Sequence, residues 1–318
     1  MSSDMSDDLS AAPLGLALVG FGKIARDQHL PAIYSDPAFE LRATASRNAS
    51  VEGVEAFRDL ESLLAARADI ACVALCNPPQ VRFDAACMAI AAGRHVLLEK
   101  PPGATLSEVH ALVAMAEARG VTLFATWHSR FAHCVPAAKS WLAGKTIRKL
   151  EIIWKEDVRR WHPGQDWIWR PGGFGVFDPG VNALSILTEI FPRPLRLTKA
   201  ELSFPSNRDT PIAADLTFHD RGGADVTAAF DFRQEGPQTW DIRVTADEGT
   251  MVLSMGGAVM TVDGAEAASG PEREYRGIYQ AFAQLIARGA SEIDLAPMVH
   301  VADAFTLGRR AVVAPFDF

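Results

Sequence analysis

The chain predicts a two-domain α/β protein: a doubly wound parallel sheet first, then an α+β domain on a largely antiparallel sheet. Three observations predict it. In the first part of the chain, short β-rich apolar runs alternate with stretches of helical apolar spacing, the βαβ rhythm of a parallel sheet with helices on both faces. After about residue 150 short strands instead follow one another through turn residues, as in an antiparallel sheet. At 318 residues and 48% hydrophobic, the chain is also long enough to bury two ordinary cores.

The elements follow in order. LGLALVG (14–20), FELRATAS (39–46), ADIACVAL (68–75), GRHVLLEK (93–100) and GVTLFAT (120–126) read as buried strands, with helical spacing over 79–92 and 105–119. In the second part KLEIIWKEDV (149–158), LRLTKAELSF (195–204), AADLTFHD (213–220), ADVTAAFDF (224–232), TWDIRVTAD (239–247) and GTMVLSM (249–255) read as strands, and 181–191 and 275–288 as helices. There is no internal repeat and no low-complexity segment beyond the polar, acidic start.

Charge and composition exclude several classes of function. A net charge of −8 repels phosphate backbones and anionic lipid, so neither nucleic acid nor membrane is an expected partner. The start, MSSDMSDDLSAAP, lacks the positive and apolar regions of a signal peptide and reads as a disordered tail over 1–13. No apolar run is long enough to cross a bilayer, and Cys72, Cys76, Cys87 and Cys134 lack paired metal-ligand spacing. The expectation is a soluble cytoplasmic protein with no metal.

Three motifs carry chemistry. GFGKIA (20–25) directly follows the first strand: Gly20 permits a tight turn, Gly22 lets backbone approach a pyrophosphate, and Ala25 allows close helix packing. This loop, Gly20, Phe21, Gly22, Lys23 and Ile24, is therefore the expected dinucleotide cradle. At the end of the second strand, where an acidic residue would hold the ribose of NAD, stand Ser46 and Arg47; a hydroxyl beside a guanidinium suits a 2′-phosphate, so NADP is preferred and NAD remains usable. LLEKPPG (97–103) holds Glu99 and Lys100 at the carboxyl end of a strand, fixed by two prolines. The third motif, WRPGGFGVFDPGVNALSI (169–186), sets Asp178 and Asn182 four apart on one face of an incipient helix.

Taken in order, GxGxxA at 20–25, NPP at 77–79, EKP at 99–101 and the Gly-rich segment leading to Asp178 and Asn182 resemble the glucose-fructose oxidoreductase, inositol dehydrogenase and rhizopine catabolism (Gfo/Idh/MocA) family. The resemblance implies a Rossmann domain over 14–131 for NAD(P), with Cys76, Asn77, Pro78, Glu99 and Lys100 added to the cofactor contacts. It implies a substrate-binding α+β domain over 132–318, whose large open sheet often forms a homodimer.

One departure is informative. The family commonly has His four residues after the Asp, as proton acceptor; here Asn182 stands there, and an amide cannot take a proton at neutral pH. With WHSRFA (127–132) and WHPGQDWIWRPGGFGVFDPGVN (161–182), the Asn form resembles the aldose branch that oxidises L-arabinose or D-galactose at C1. The resemblance makes Asp178 the acid/base, with Asn182 holding the sugar; Lys100, as an ammonium near the C1 oxygen, would offset developing negative charge, and a base role for Lys100 in place of Asp178 stays open. His128, Glu156 and His162 are further hydrogen-bonding candidates for a pyranose, and Trp161 and Trp240 flat apolar ones. Trp154, Trp167 and Trp169 read as core or interface anchors rather than sugar platforms, and His133 and His219 read as structural. The expected activity is an NAD(P)-dependent aldose 1-dehydrogenase forming a lactone. Another oxidoreductase of the same scaffold, acting on an inositol, dihydrodiol or keto-sugar, and a non-catalytic NADP-dependent sugar sensor stay open.

Overall fold

The computed structural model describes residues 12–317; the tail expected over 1–13 falls, apart from Ala12 and Pro13, outside the described residues. Six strands form the first sheet: β1 (Leu14–Val19), β2 (Phe39–Ala45), β3 (Glu55–Phe57), β4 (Cys72–Leu75), β5 (His95–Leu98) and β6 (Leu123–Ala125). All pair in parallel, in the order β3-β2-β1-β4-β5-β6. The inner strands are buried almost without interruption, as a sheet covered on both faces requires. Helices α1 (Leu30–Ser35), α2 (Leu60–Ala66), α3 (Arg82–Ala91) and α4 (Leu106–Arg119) connect the strands. Local chemistry sets the ends of α4: Thr105 and Glu108 form a reciprocal capping box, and Gly120 closes the helix in the left-handed region at φ 71°.

The strand order reverses between β1 and β4, so the loops leaving these two neighbours diverge and open a crevice. Gly20, at φ 83°, is required at that point: a Cβ there would lie 2.7 Å from the Asn77 backbone nitrogen.

The second part begins with α5 (Val135–Leu142), β7 (Ile147–Lys155), α6 (Val158–Trp161) and α7 (Phe177–Ile190). Next come β8 (Arg196–Pro205), β9 (Ala213–His219), β10 (Asp225–Asp231), β11 (Thr239–Ala246), β12 (Gly249–Ser254), β13 (Val259–Val262) and β14 (Ala265–Ser269). Two helices, α8 (Glu274–Ala287) and α9 (Ala296–Leu307), and a last strand, β15 (Arg309–Val313), complete the chain. Nine strands pair in the order β14-β13-β12-β11-β7-β10-β9-β8-β15, antiparallel except for β7 with β10 and β8 with β15. Burial alternates along β10 and β11, the mark of a sheet with one face packed and one open. The packed face carries α7, whose Gly180 permits close approach: a Cβ there would meet the Phe230 ring at 3.1 Å.

The sequence pattern leaves some elements unread. β3 is three residues long and largely exposed, β13 and β14 form a short exposed hairpin, and α5, α6, α9 and β15 carry too little periodicity to stand out. The helix expected at 275–288 is present as α8, but its place could not be read from pattern. It packs Tyr275, Ile278, Tyr279, Phe282 and Leu285 against Leu16, Leu18, Leu97 and Phe124 of the first sheet. Each such fully buried large side chain contributes about 1.5–3 kcal/mol, so a helix from late in the chain helps hold the early sheet together.

Candidate active site

A cleft of about 710 Å3 runs between the carboxyl ends of the first sheet and the packed side of the second. Gly22, Lys23 and Ile24 line one end with Cys76, Asn77 and Pro78. The loop fits a dinucleotide on two counts. Space around Gly22 is open, with no atom within 4 Å of a built Cβ, so a pyrophosphate could lie against the main chain. Nearby, Asn77 Oδ1 is buried and has no hydrogen-bond partner among the described residues. Lys23 pairs with Asp27 at 2.5 Å. Ser46 and Arg47 sit at the end of β2 outside the cleft lining, Arg47 exposed and without an ion pair among the described residues. Gly20 and Phe21 lie behind the lining, and Phe21 packs into the first core beneath Arg26.

The floor of the cleft is the loop after β5. Lys100 N–H donates to Glu99 Oε2 at 2.7 Å and to Thr126 Oγ1 at 3.1 Å, and the Lys100–Pro101 peptide is cis. The Glu99 carboxylate is turned inward, 3% exposed, and accepts from Tyr275 Oη at 2.6 Å and His29 Nε2 at 3.1 Å. Tyr279 Oη meets the other ring nitrogen of His29 at 2.8 Å. Burial alone would raise the Glu99 carboxyl, but the hydrogen bond and charge of His29, helped by His128 and Tyr275, outweigh it and hold the group at about 2. Burial likewise pushes His29 down, while Cys76 and Glu99 more than reverse this and bring it to about 10. Below the loop Arg82, 2% exposed, donates to the carbonyls of Asn77, Glu99 and Pro101, tying the loops after β4 and β5 together. Its burial lowers the guanidinium to about 10.

The wall comes from the second sheet and α7. Asp178 lies in the first turn of α7, 3% exposed, with Oδ2 3.2 Å from Lys100 Nζ; the same ammonium donates to the Asp178 carbonyl at 2.9 Å. His162, just past α6, places Nδ1 3.7 Å from Asp178 Oδ2 and Nε2 3.1 Å from Glu156 Oε1. Glu156, 2% exposed at the end of β7, accepts at its other oxygen from Trp240 Nε1 at 2.8 Å. Trp161 leans on Trp240 with ring centroids 4.9 Å apart, and Trp154 stacks on Trp240 at 6.0 Å. Asn182, one turn after Asp178, also lines the cleft, and its side-chain amide is not used in any hydrogen bond among the described residues.

The cleft thus brings together Lys100, Asp178, Asn182, His128, Glu156, His162, Trp161 and Trp240, drawn from separate stretches of the chain. Trp169 is buried in the second core away from the cleft, whereas buried Trp154 and partly buried Trp167 both line it. His133 borders the cleft too, and His219 lies on β9 away from it. Sequence reasoning missed four residues. His29, Arg82 and Tyr275 support the floor, and Glu274, at the start of α8, pairs with His128 Nδ1. His128 and Glu274 are 146 residues apart, so no local spacing could have signalled the pair. The carboxylate only accepts, which places the His128 proton on Nδ1 and leaves Nε2 for the cleft.

A proton acceptor beside a fixed ammonium, at the edge of a dinucleotide loop and under an aromatic wall, can take a hydroxyl proton from a bound polyhydroxy compound while the carbon loses hydride. Comparison with known proteins points to an oxidoreductase. Residues 14–126 match the Gfo/Idh/MocA model, the oxidoreductase family with an NAD-binding Rossmann fold. A galactose 1-dehydrogenase from Pseudomonas fluorescens is 44% identical over 304 residues, which span 96% of this chain and 99% of that protein. The crystal structure of a D-galactose-1-dehydrogenase from Rhizobium etli superposes with a TM-score of 0.93 at 56% identity, covering 97% of this chain and 99% of the other. A 3-ketoreductase from Actinomadura kijaniata, solved with NADP and TDP-benzene, shares the fold at TM-score 0.82 and 20% identity, over 95% of this chain and 99% of its own.

Proposed function

Since the chain belongs to the Gfo/Idh/MocA oxidoreductase family, we propose that it is an NADP-preferring aldose 1-dehydrogenase, oxidising the pyranose form of D-galactose or L-arabinose at C1 to the lactone. The observation that carries the reading is the 3.2 Å pair of Lys100 and Asp178 in the cleft, with an amide at Asn182 where a proton-accepting imidazole would suit other substrates. Likeness to two galactose dehydrogenases across nearly the whole chain supports the choice of sugar.

Gly22, with Lys23, Ile24 and Asn77, would hold the dinucleotide, and Arg47 with Ser46 would face its 2′-phosphate. When bound, the nicotinamide supplies the carbon that accepts hydride. The chain's own residues do the rest. Asp178 takes the C1 hydroxyl proton, and Lys100 offsets negative charge on that oxygen as the proton leaves. Asn182 and His128 orient the ring hydroxyls, while Trp161 and Trp240 cover C–H faces and exclude water. Holding the sugar in register contributes on the order of 7–11 kcal/mol through proximity. The site is expected to work in the cytoplasm, in a homodimer joined through the open face of the nine-stranded sheet.

A panel of aldoses, inositols and dihydrodiols assayed by absorbance of the reduced nicotinamide tests the substrate class. Turnover confined to inositols or diols, or cofactor binding without any turnover, would remove the aldose reading. For the cofactor, Arg47→Asp is expected to weaken NADP by about 1.5–3 kcal/mol more than NAD, the worth of a charged hydrogen bond. Equal losses would show that Arg47 does not read the phosphate.

A further inference from the structure

We propose that His162 is a second proton acceptor, receiving from Asp178 the proton that leaves the sugar, and that Glu156 is a positioning residue acting through His162 rather than a sugar ligand. The proposal rests on the aldose dehydrogenase reading and specifies where its proton goes.

Three features of the wall lead to it. First, both Glu156 oxygens are engaged inside the protein, Oε1 by His162 and Oε2 by Trp240, and the residue is 2% exposed. Its backbone is pinned as well, N–H to the Asp231 carbonyl at 2.9 Å and C=O from Gln234 N–H at 3.2 Å. Second, an ionised carboxylate can only accept, so the 3.1 Å contact places the His162 ring proton on Nε2. The nitrogen with a free lone pair is then Nδ1, the one that faces Asp178. Third, the 3.7 Å from Nδ1 to Asp178 Oδ2 is longer than a hydrogen bond, as expected for two acceptors, and short enough to close once Oδ2 carries a proton.

The steps balance. A bound oxidised nicotinamide would accept the C1–H electron pair as hydride; the C1–O bond then becomes the lactone carbonyl, and the hydroxyl proton moves to Asp178. Asp178 then passes the proton to His162 Nδ1, which restores the carboxylate beside Lys100. The imidazolium so formed keeps its Nε2–H on Glu156 Oε1. His162 is 14% exposed in the cleft and releases the proton to water there.

The test uses the full chain with D-galactose, L-arabinose and NADP. His162→Gln keeps a polar side chain of similar reach but cannot carry the proton; kcat is expected to fall by about 10²-fold with little change in sugar KM. In His162→Ala, added imidazole is expected to restore kcat saturably. A raised KM with kcat retained would make His162 only a sugar ligand and overturn the proposal, as would lost turnover that imidazole does not restore. Nitrogen-15 NMR of the histidine-labelled protein without cofactor or sugar gives a readout independent of turnover. A single His162 tautomer with the proton on Nε2, shifting in Glu156→Gln, is expected; a proton on Nδ1, or on both nitrogens, would overturn the relay. If the wild type oxidises neither aldose, the parent reading fails and the relay with it, whereas wild-type turnover with any of the contrary variant results sinks the relay alone.

Discussion

The floor and the wall of the cleft use the same three-part device, a buried carboxylate held by a histidine and an aromatic donor, and use it differently. Glu99 meets His29 and Tyr275; Glu156 meets His162 and Trp240. On the floor the device is closed: His29 is fully buried, and its second nitrogen is taken by Tyr279. On the wall it is open, because the second nitrogen of His162 faces Asp178 and the cleft. A closed carboxylate–histidine pair can only hold the backbone of Lys100 in place. An open one has a nitrogen left for chemistry.

The largest expected effect falls on the Lys100–Asp178 pair, where floor and wall meet, and leaves both carboxylate–histidine devices in place. Asp178→Asn should lower kcat by about 10²–10⁴-fold with NADP affinity unchanged, and Lys100→Met should do likewise. If both act on one oxygen, the double variant should lose far less than the product of the single losses. Steady-state kinetics with titrated cofactor checks this. Substantial turnover in Asp178→Asn beside almost none in Lys100→Met would make Lys100 the base and Asp178 its support.

Next comes the reverse experiment. Glu99→Leu leaves the buried His29 without its charge partner and should destabilise the fold by about 3–5 kcal/mol in urea unfolding. Glu156→Leu should lose only about 1–3 kcal/mol, since the freed His162 nitrogen borders the cleft and can reach water. Equal losses would erase the distinction between closed and open.

The same contrast has a pH signature. Glu99 is depressed from an ordinary 4.5 to about 2, so its stabilisation is present above 4.5 and lost as pH falls toward 2. His29 is raised from 6.5 to about 10, so its share is complete below 6.5 and lost as pH rises toward 10. Unfolding free energy measured across that range should therefore carry a plateau between 4.5 and 6.5 from this pair. Glu99→Gln should remove the acid limb and shrink the alkaline one, to which Cys76 also contributes, and limbs unchanged in that variant would show that other groups produce them.

The smallest effect sharpens the picture at the rim. Glu274→Ala frees His128 to take either tautomer and should raise sugar KM by several-fold with kcat nearly kept, matching about 1 kcal/mol for one hydrogen bond. A fall in kcat alone would mean that His128 takes part in the chemistry itself.

Much of this was legible in the chain. The β1 loop, the EKP segment and the Asp178–Asn182 pair are local patterns, each a turn or a helix face whose geometry follows from a few adjacent residues, and the structure brings all three to one cleft. The parallel and mostly antiparallel sheets follow from the apolar rhythm for the same reason, since period and turn residues act over a few positions.

The sequence by itself therefore determined the two sheets and marked the Gly-rich loop, Lys100 and Asp178 as candidates for one site. Tertiary structure alone decided what each buried charge is for. Glu99 and His29 are 70 residues apart, Glu99 and Tyr275 176 apart, and Trp240 reaches Glu156 across 84. Such pairs form when α8 returns to the first sheet and β11 lies beside β7, and nothing near either partner encodes the meeting. A carboxylate in a water-free place must find its donors wherever the fold supplies them, so sequence can name the charge while only packing names its partner.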